Sequence, residues 1–332
     1  MKSILITGAT GFLGKHLVNQ LRAAEPEARL RLLLFDANPW EGDPQIEAVN
    51  GDVTSSADVD RVTEGASEIY HLAGFVSRDP KKAELLYRVH IEGTRNVCES
   101  ALRHRAEKVV HVSSSGTIAV SLGPTTVHNE QSGYKHDVVS RWAYYLSKIF
   151  SEKAALWYFT NRQLPVVVVN PALLLGPGDD RMSSTGEVLL FLRRQVMAVP
   201  AGGLCFVDAR DAAAGIIAAM RSGRPGERYL LGGPNWSFRE FFDTLGKLTS
   251  LRAPSLAPPL GVSLASARLL RRLMPLVGRS FPLDDESIRM ASHFWYCDSS
   301  KARAELGFKS RDPMETLRDT VEDLRRRLGE GG

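Results

Sequence analysis

The chain has 332 residues, enough for one large α/β domain or two unequal ones, and its 43% apolar content lets it bury a core without disulfide or metal staples. Its 42 Lys and Arg against 38 Asp and Glu leave a charge of +4, interspersed rather than massed into a basic arm, which argues against a nucleic-acid partner. Cys98, Cys205 and Cys297 lack redox-pair or zinc-site spacing, the N-terminus runs into ILITGATGFLG without a leader, and no apolar run is long enough for a membrane span. A reduced, cytoplasmic protein without stable membrane insertion is expected.

The first strand, ILIT, leads into TGATGFLG, which sets Gly8, Gly11 and Gly14 at three-residue spacing before a helix opening with Lys15 and His16. Such a loop lets backbone N–H groups and a helix N-terminus approach a pyrophosphate, so Gly8, Thr10, Gly11, Phe12, Leu13 and Gly14 are candidate cofactor contacts. The second strand, RLRLLLFD, ends on Asp36, where a carboxylate can hold the adenosine ribose. An aspartate there favours NAD because it repels a 2′-phosphate, although Lys15 or Arg31 could still admit NADP. GDVT puts Asp52 and Val53 at the end of a third strand, in reach of an adenine amino group. The fourth strand ends in HLAG, whose Leu72, Ala73 and Gly74 permit close backbone approach.

FVSRDP, residues 75–80, follows directly and should border the reacting carbon, with Ser77 and Arg78 as candidate substrate contacts and Asp79–Pro80 as a turn. The fifth strand, KVVHVSSS, supplies Ser113, Ser114 and Ser115, one of which can polarise a carbonyl while another caps the turn into GTIA. The connection from Gly116 to Arg141, with His128, Glu130, Tyr134 and His136, is long enough for a functional loop. In the helix WAYYLSK, Tyr144 lies four residues before Lys148 and shares its face, while Tyr145 falls with apolar Ile149 and Leu156. A phenol with a pKa near 10 needs a neighbouring ammonium to lower it for proton transfer at neutral pH, and Lys148 can do that.

The alternation of short Val/Ile/Leu runs with helix-period segments, ending in PVVVVN, predicts an α/β fold with a doubly wound parallel sheet buried on both faces. After about residue 172 the rhythm becomes irregular. Residues 1–172 are read as the cofactor-binding domain, with contributions from about 205–232, and residues 173–330 as a smaller C-terminal substrate-binding lobe at the strand ends. Its apolar stretch 253–281, with Arg268, Arg271 and Arg272, could be a lid, a membrane-touching helix or inter-lobe core.

Taken in order, TGATGFLG, GDVT, HLAG, SSSGTI, YYLSK and NPALLLGPGD resemble the extended short-chain dehydrogenase/reductase family, and VDARDAA, GERYLLGG and SSKARAELGF extend the likeness over the whole chain. The resemblance implies a Rossmann-type NAD(P)-binding domain, with Ser115, Tyr144 and Lys148 as catalytic residues. It also implies that Lys148 binds the nicotinamide ribose and that backbone around Asn170, Pro171 and Leu173 abuts the nicotinamide. Two positions depart from the nucleotide-sugar pattern. His90 stands where many such members carry asparagine and could line the ribose site, with an ordinary helix histidine as the preferred reading, and FVDARD lacks their longer Arg-Asp-aromatic-x-His-Val lead-in. The pattern looks most like the dihydroflavonol reductase-like and hydroxysteroid dehydrogenase-like branch.

The expectation is an NAD(P)-dependent oxidoreductase acting on a carbonyl or hydroxyl of a small, rather apolar metabolite, with Tyr144 as general acid/base. The alternative is a nucleotide-sugar epimerase or dehydratase with tightly bound NAD. A catalytically silent relative that senses NAD(P) is disfavoured because serine, tyrosine and lysine are all present. No metal is expected, and a homodimer through helices around residues 84–104 and 140–160 is consistent with the family.

Overall fold

The computed structural model describes residues 2–277 and 283–329. Strands and helices follow in chain order: β1 (Ser3–Thr7), α1 (Phe12–Ala24), β2 (Arg29–Leu34), β3 (Ile46–Asn50), α2 (Ser56–Thr63), β4 (Glu68–His71), α3 (Ala83–Tyr87), α4 (Gly93–Arg103), β5 (Lys108–Val112), α5 (His136–Val139), α6 (Ala143–Arg162) and β6 (Val166–Pro171). They continue with β7 (Leu173–Leu175), α7 (Gly186–Leu192), β8 (Gly203–Asp208), α8 (Ala209–Ser222), β9 (Arg228–Leu231), β10 (Asn235–Ser237), α9 (Phe238–Thr249), α10 (Leu260–Leu273), α11 (Asp285–Met290), β11 (Phe294–Trp295), α12 (Ser300–Leu306) and α13 (Pro313–Arg327).

Seven strands form one parallel sheet in the order β3-β2-β1-β4-β5-β6-β9. This is the doubly wound Rossmann-type arrangement. The pleat explains its continuous apolar runs, because successive side chains enter opposite cores. Ile4, Ile6, Val167 and Val169 pack with Leu17 of α1 and Ile216 of α8, whereas Leu5, Val166 and Val168 pack with Val59 of α2, Val97 of α4 and Tyr158 of α6. The strand order reverses between β1 and β4, which opens a crevice there.

The second sheet centres on β8, flanked by β10 and β11, with β7 on its other edge. Phe206 of β8, Phe238, Phe241 and Phe242 of α9 and Leu317 of α13 form its separate core. The 205–232 contribution therefore divides: β8 belongs to this smaller sheet, and β9 returns to the large one. Strand ends also differ from the sequence expectation. β2 stops at Leu34 opposite Asn50, the last residue of β3, so Asp36 lies two residues past it, and β4 stops at His71, leaving Leu72–Gly74 outside the ladder; the same holds for β3, which ends before Asp52 and Val53, and for β5, which ends at Val112 before the serines. Residues 278–281 of the apolar stretch, and residue 330 at the end of the proposed lobe, lie outside the described residues.

Between α3 and α4 the helix continues through a π-helical turn, Arg88–Glu92, which puts His90 inside the protein. At the other end of the crevice, a Cβ on Gly14 would lie 2.2 Å from the Gly8 carbonyl oxygen and 2.7 Å from that of Ala9. Gly14→Ala is expected to lower stability by about 3 kcal/mol, the upper end of overpacking against backbone that cannot yield. Gly261→Ala, in open space at the start of α10, should be neutral or slightly stabilising; thermal denaturation of the two variants checks the contrast.

Candidate active site

The loop after β1 is shaped by close approach. Gly8 has φ +74°, and a Cβ on it would stand 2.6 Å from the Ala73 nitrogen and 2.7 Å from the Leu72 carbonyl carbon. Only glycine fits there. The Ala73 N–H also donates to Thr7 Oγ1 at 3.2 Å, so the β1 and β4 exits are tied side by side. The chain then enters α1 at Gly11, whose position gives the helix no side-chain cap. The first-turn amides of Phe12, Leu13 and Gly14 thus remain for an anion, and these residues with Gly8, Thr10 and Gly11 line a large cleft. Ser113, at the end of β5, also lines it, and its buried Oγ has no hydrogen-bond partner among the described residues. An uncapped helix start and an orphaned hydroxyl in one crevice are what a dinucleotide requires, so the residues present fit NAD.

Not every expected contact faces this cleft. Leu72, Gly74, Pro171 and Leu173 line it, but Asp52, Val53, Ala73 and Asn170 do not. Asp52 Oδ1 accepts from the Thr54 N–H at 2.8 Å, while Val53 is buried and packs against Gly93. Asp36 lies beside Ala37 at the rim and pairs with Arg181, which reaches across from the loop after β7. Lys15 pairs with Asp180 of that loop, and Arg31 is turned away to Glu47 and the Val62 carbonyl. Arg181 is thus the cation beside Asp36, and no motif in the amino-acid order singles it out.

On α6, Tyr144 and Lys148 both face the cleft, one turn apart. The Lys148 ammonium donates to the Val112 carbonyl at 3.0 Å, under the β5 end. Burial lowers its pKa to about 8, against the opposing pull of Glu152. The enclosing wall pushes the Tyr144 phenol up to about 12, and a hydrogen bond from the Ser114 hydroxyl works the other way. The net shift is upward because desolvation of the phenol outweighs that hydrogen bond. Ser114 and Ser115 both line the cleft with Tyr144. Ser114 also accepts from the Gly116 N–H, the capping role expected of one serine. Tyr145 stacks on Trp295 at 4.8 Å and packs with Trp142 and Ile149, so it belongs to an apolar cluster at the cavity edge. Its ring leaves no room for a Cβ at Gly116.

Beneath the serines is a polar layer that the sequence reading missed. Asn170 Nδ2 donates to the Ser114 carbonyl at 3.1 Å, to Thr117 Oγ1 at 3.2 Å and to Glu152 Oε2 at 2.8 Å. Glu152 is wholly buried, with the Arg228 guanidinium 3.2 Å from its other oxygen and Tyr134 stacked on that guanidinium. Glu152 follows Lys148 by four residues on the face of Tyr144, which is the periodic signal that could have found it. His128, Glu130 and Tyr134 of the long connection serve as struts: Glu130 accepts from the Leu230 N–H at 2.9 Å, and His128 bridges to Cys297.

Beyond Tyr144 the cleft widens. Ser77 and Arg78 line it; Ser77 Oγ accepts from the Asp79 N–H, and Arg78 pairs with Glu187 at 2.8 Å. Asp79 caps the turn at Pro80–Lys82 as expected. Apolar side chains from three elements close the far end, among them Leu189, Met197, Phe238, Leu260 and Leu270. α10 thus forms a wall of the cavity, with Val262 among the residues that line it, while Leu269 and Leu273 are exposed and Arg268 and Arg271 pair with Asp285. Among the described residues no helix is long and apolar enough to cross a membrane. The cavity volume is about 2020 Å³, roughly twice the upper end of single-ligand pockets, and so has room for a dinucleotide and a second molecule.

The model of the NAD-dependent epimerase/dehydratase family matches residues 4–232. A Synechocystis sp. protein provisionally named a dihydroflavonol 4-reductase is 32% identical over 95% of this chain and 92% of its own. Sterol demethylase protein B of Methylococcus capsulatus is 34% identical over 97% of this chain and 98% of its own. The fold is that of gox2253, with a TM-score of 0.84 and 24% identity over the whole of both chains. It is also that of DesIV, a dTDP-glucose 4,6-dehydratase from Streptomyces venezuelae solved with NAD bound, with a TM-score of 0.75 and 22% identity over 98% of each chain.

Lys148 carries a testable stability cost. Its pKa falls from 10.5 in the unfolded chain to about 8 on folding, so the unfolded chain binds more protons between those values and stability rises with pH across them. Lys148→Met is expected to stabilise the protein by roughly 1–3 kcal/mol at pH 7, with the gain shrinking towards pH 10.5. Paired melts of variant and parent at the two pH values check this; a lower Tm for the variant at pH 7 would contradict it.

Proposed function

Because the chain belongs to the NAD-dependent epimerase/dehydratase family of extended short-chain dehydrogenases/reductases, we propose that it transfers hydride between NAD and a carbonyl or hydroxyl carbon of an apolar, fused-ring or isoprenoid metabolite. The observation that carries this reading is the apolar far end of the cavity. A nucleotide diphosphate needs arginine or lysine aimed at its phosphates. At the substrate end Arg78 is already paired with Glu187, Arg141 stands exposed at the cleft's edge, and Leu189, Met197, Phe238 and Leu260 offer no such contact. A relative named for sterol demethylation, similar over nearly the whole chain, supports the same substrate class.

The α1 N-terminus and Ser113 would hold the dinucleotide, with Asp36 and Arg181 at its ribose end. Once bound, NAD supplies or accepts the hydride. In the reductive direction Tyr144 gives its phenol proton to the carbonyl oxygen as the C–H bond forms; in the oxidative direction its phenolate takes the proton from the hydroxyl. Lys148 stabilises the phenolate left behind, and Ser115, on the same wall, donates a hydrogen bond to the substrate oxygen. Asn170 and Glu152 keep that wall in place from behind. A two-lobed division at about residue 172 and pairing of two copies through the outer face of α6, where Phe150 and Trp157 are exposed, belong to the same reading.

Tested with NADH and NADPH against ketones on bulky apolar frames, the protein is expected to turn over and to exchange its cofactor readily. Tyr144→Phe should lower kcat about 10²–10⁴-fold and Ser115→Ala about 10-fold or more. Turnover that survives Tyr144→Phe would overturn the catalytic assignment. Stoichiometric NAD retained through purification would favour the sugar-nucleotide epimerase or dehydratase reading instead.

A further inference from the structure

We propose that His90 is a positioning residue that clamps the start of the substrate loop to the first turn of the catalytic helix. The inference rests on the reading of Tyr144 and of the 75–80 loop given above. His90 is 1% exposed, carried inward by the π-helical turn Arg88–Glu92. A wider turn displaces the helix surface locally, and such turns are frequent at functional sites. The imidazole here reaches two separate parts of the site at once.

The hydrogen bonds fix their own direction. The Phe75 backbone N–H lies 3.1 Å from His90 Nε2, and an amide can only donate, so Nε2 is the acceptor and the proton of the neutral ring is on Nδ1. Nδ1–H then donates to Ser147 Oγ at 2.8 Å, and the Ser147 hydroxyl donates to the Tyr144 carbonyl oxygen at 2.8 Å. The chain runs one way, from the first residue of FVSRDP through His90 and Ser147 to the backbone of Tyr144. The imidazole also stands edge-on to the Tyr144 ring, with centroids 5.7 Å apart and planes at 76°.

The surroundings keep this tautomer. A Cβ on Gly74 would meet His90 Nε2 at 3.3 Å and Lys148 Nζ at 3.4 Å, so imidazole and ammonium flank the same glycine. Burial and the Lys148 charge hold His90 well below its ordinary pKa, with buried His71 adding to the effect. Protonation at Nε2 would turn the Phe75 amide from a partner into a repelled donor. His71, bonded to Thr7 and Thr94, and His111, bonded to Ser151, are also buried in this layer, but neither bonds to the loop or to Tyr144. A histidine retained for packing alone would not need both nitrogens spent on the two walls of the substrate cavity.

The test uses the full chain with NADH bound. His90→Phe keeps the ring volume and loses both imidazole hydrogen bonds; His90→Gln keeps an acceptor for the Phe75 N–H; Ser147→Ala leaves the Phe75–His90 bond and breaks the two that run on to Tyr144. Amide exchange at Phe75 is expected to rise about tenfold or more in His90→Phe. With a ketone that the parent reduces, kcat should fall at least about tenfold, NADH affinity should stay within about threefold of the parent, and His90→Gln should recover part of the loss. The His90→Phe/Ser147→Ala double variant should be no worse than His90→Phe alone, because one chain is cut twice. Unchanged exchange and kcat, or additive losses accompanied by lost NADH binding, would overturn the clamp. Turnover that survives Tyr144→Phe would overturn the proposed chemistry instead, and exchange at Phe75 then decides the clamp by itself.

Discussion

The backbone from Leu72 to Gly74 is crowded from both sides, and the site is assembled around that crowding. Gly8 is pressed against Leu72 and Ala73, while Gly74 is faced by His90 Nε2 and Lys148 Nζ. Because no side chain can stand at Gly8, and a Cβ at Gly74 would already touch His90 and Lys148, the glycine loop after β1, the fourth strand's exit and α6 meet at close range. A displacement of this segment would move the α1 N-terminus away from β4 and Lys148 away from β5 together. The strand-order reversal between β1 and β4 makes such a meeting point available, and the glycines allow the chain to use it.

The layer behind this point is polar, which is unusual for the centre of a sheet protein and carries an energetic cost. Buried Lys148, Glu152 and Asn170 and three buried histidines stand where aliphatic residues would pack more favourably. Each is nevertheless bonded on at least one side: Glu152 by Arg228 and Asn170, Lys148 by the Val112 carbonyl, and the histidines by hydroxyls. Ser147 and Ser151 are small enough to sit between helix and sheet and finish these bonds. Asn170 Oδ1 and His111 Nδ1 still have no hydrogen-bond partner among the described residues, so the layer is only partly satisfied and keeps part of its cost.

The second sheet gives the cleft its other wall and its chemical character. Ion pairs cross the cofactor end, Lys15 to Asp180 and Arg181 to Asp36, while the far end is closed by leucine, methionine and phenylalanine side chains. One cavity therefore has a charged mouth suited to a dinucleotide and an apolar interior suited to its reaction partner. The pairing of Asp36 with Arg181 also tempers an argument from the acidic residue alone, since a guanidinium beside it changes the field that a ribose phosphate would meet.

Much of this was legible in the amino-acid order. Continuous apolar runs gave the parallel sheet because a strand buried on both faces needs no alternation, the glycine spacing gave the phosphate loop, and the four-residue interval separated Tyr144 from Tyr145. Less legible were features that depend on distant partners. Lys148 shares a helix with Tyr144, yet the phenol's proton affinity also follows its enclosure by remote walls, which spacing along one helix does not show. Asp36 met Arg181, and Cys205 came to lie beside Cys297, with both sulfurs within 2.7 Å of where a Gly232 Cβ would stand. The sequence by itself determined the fold class, the family likeness and which residues share a face of α6, because these are written in local periodicity and short motifs. Only the tertiary structure decided the clamp at His90, the layer around Glu152 and the apolar depth of the cavity, because desolvation and hydrogen-bond pairing are properties of residues brought together from far along the chain.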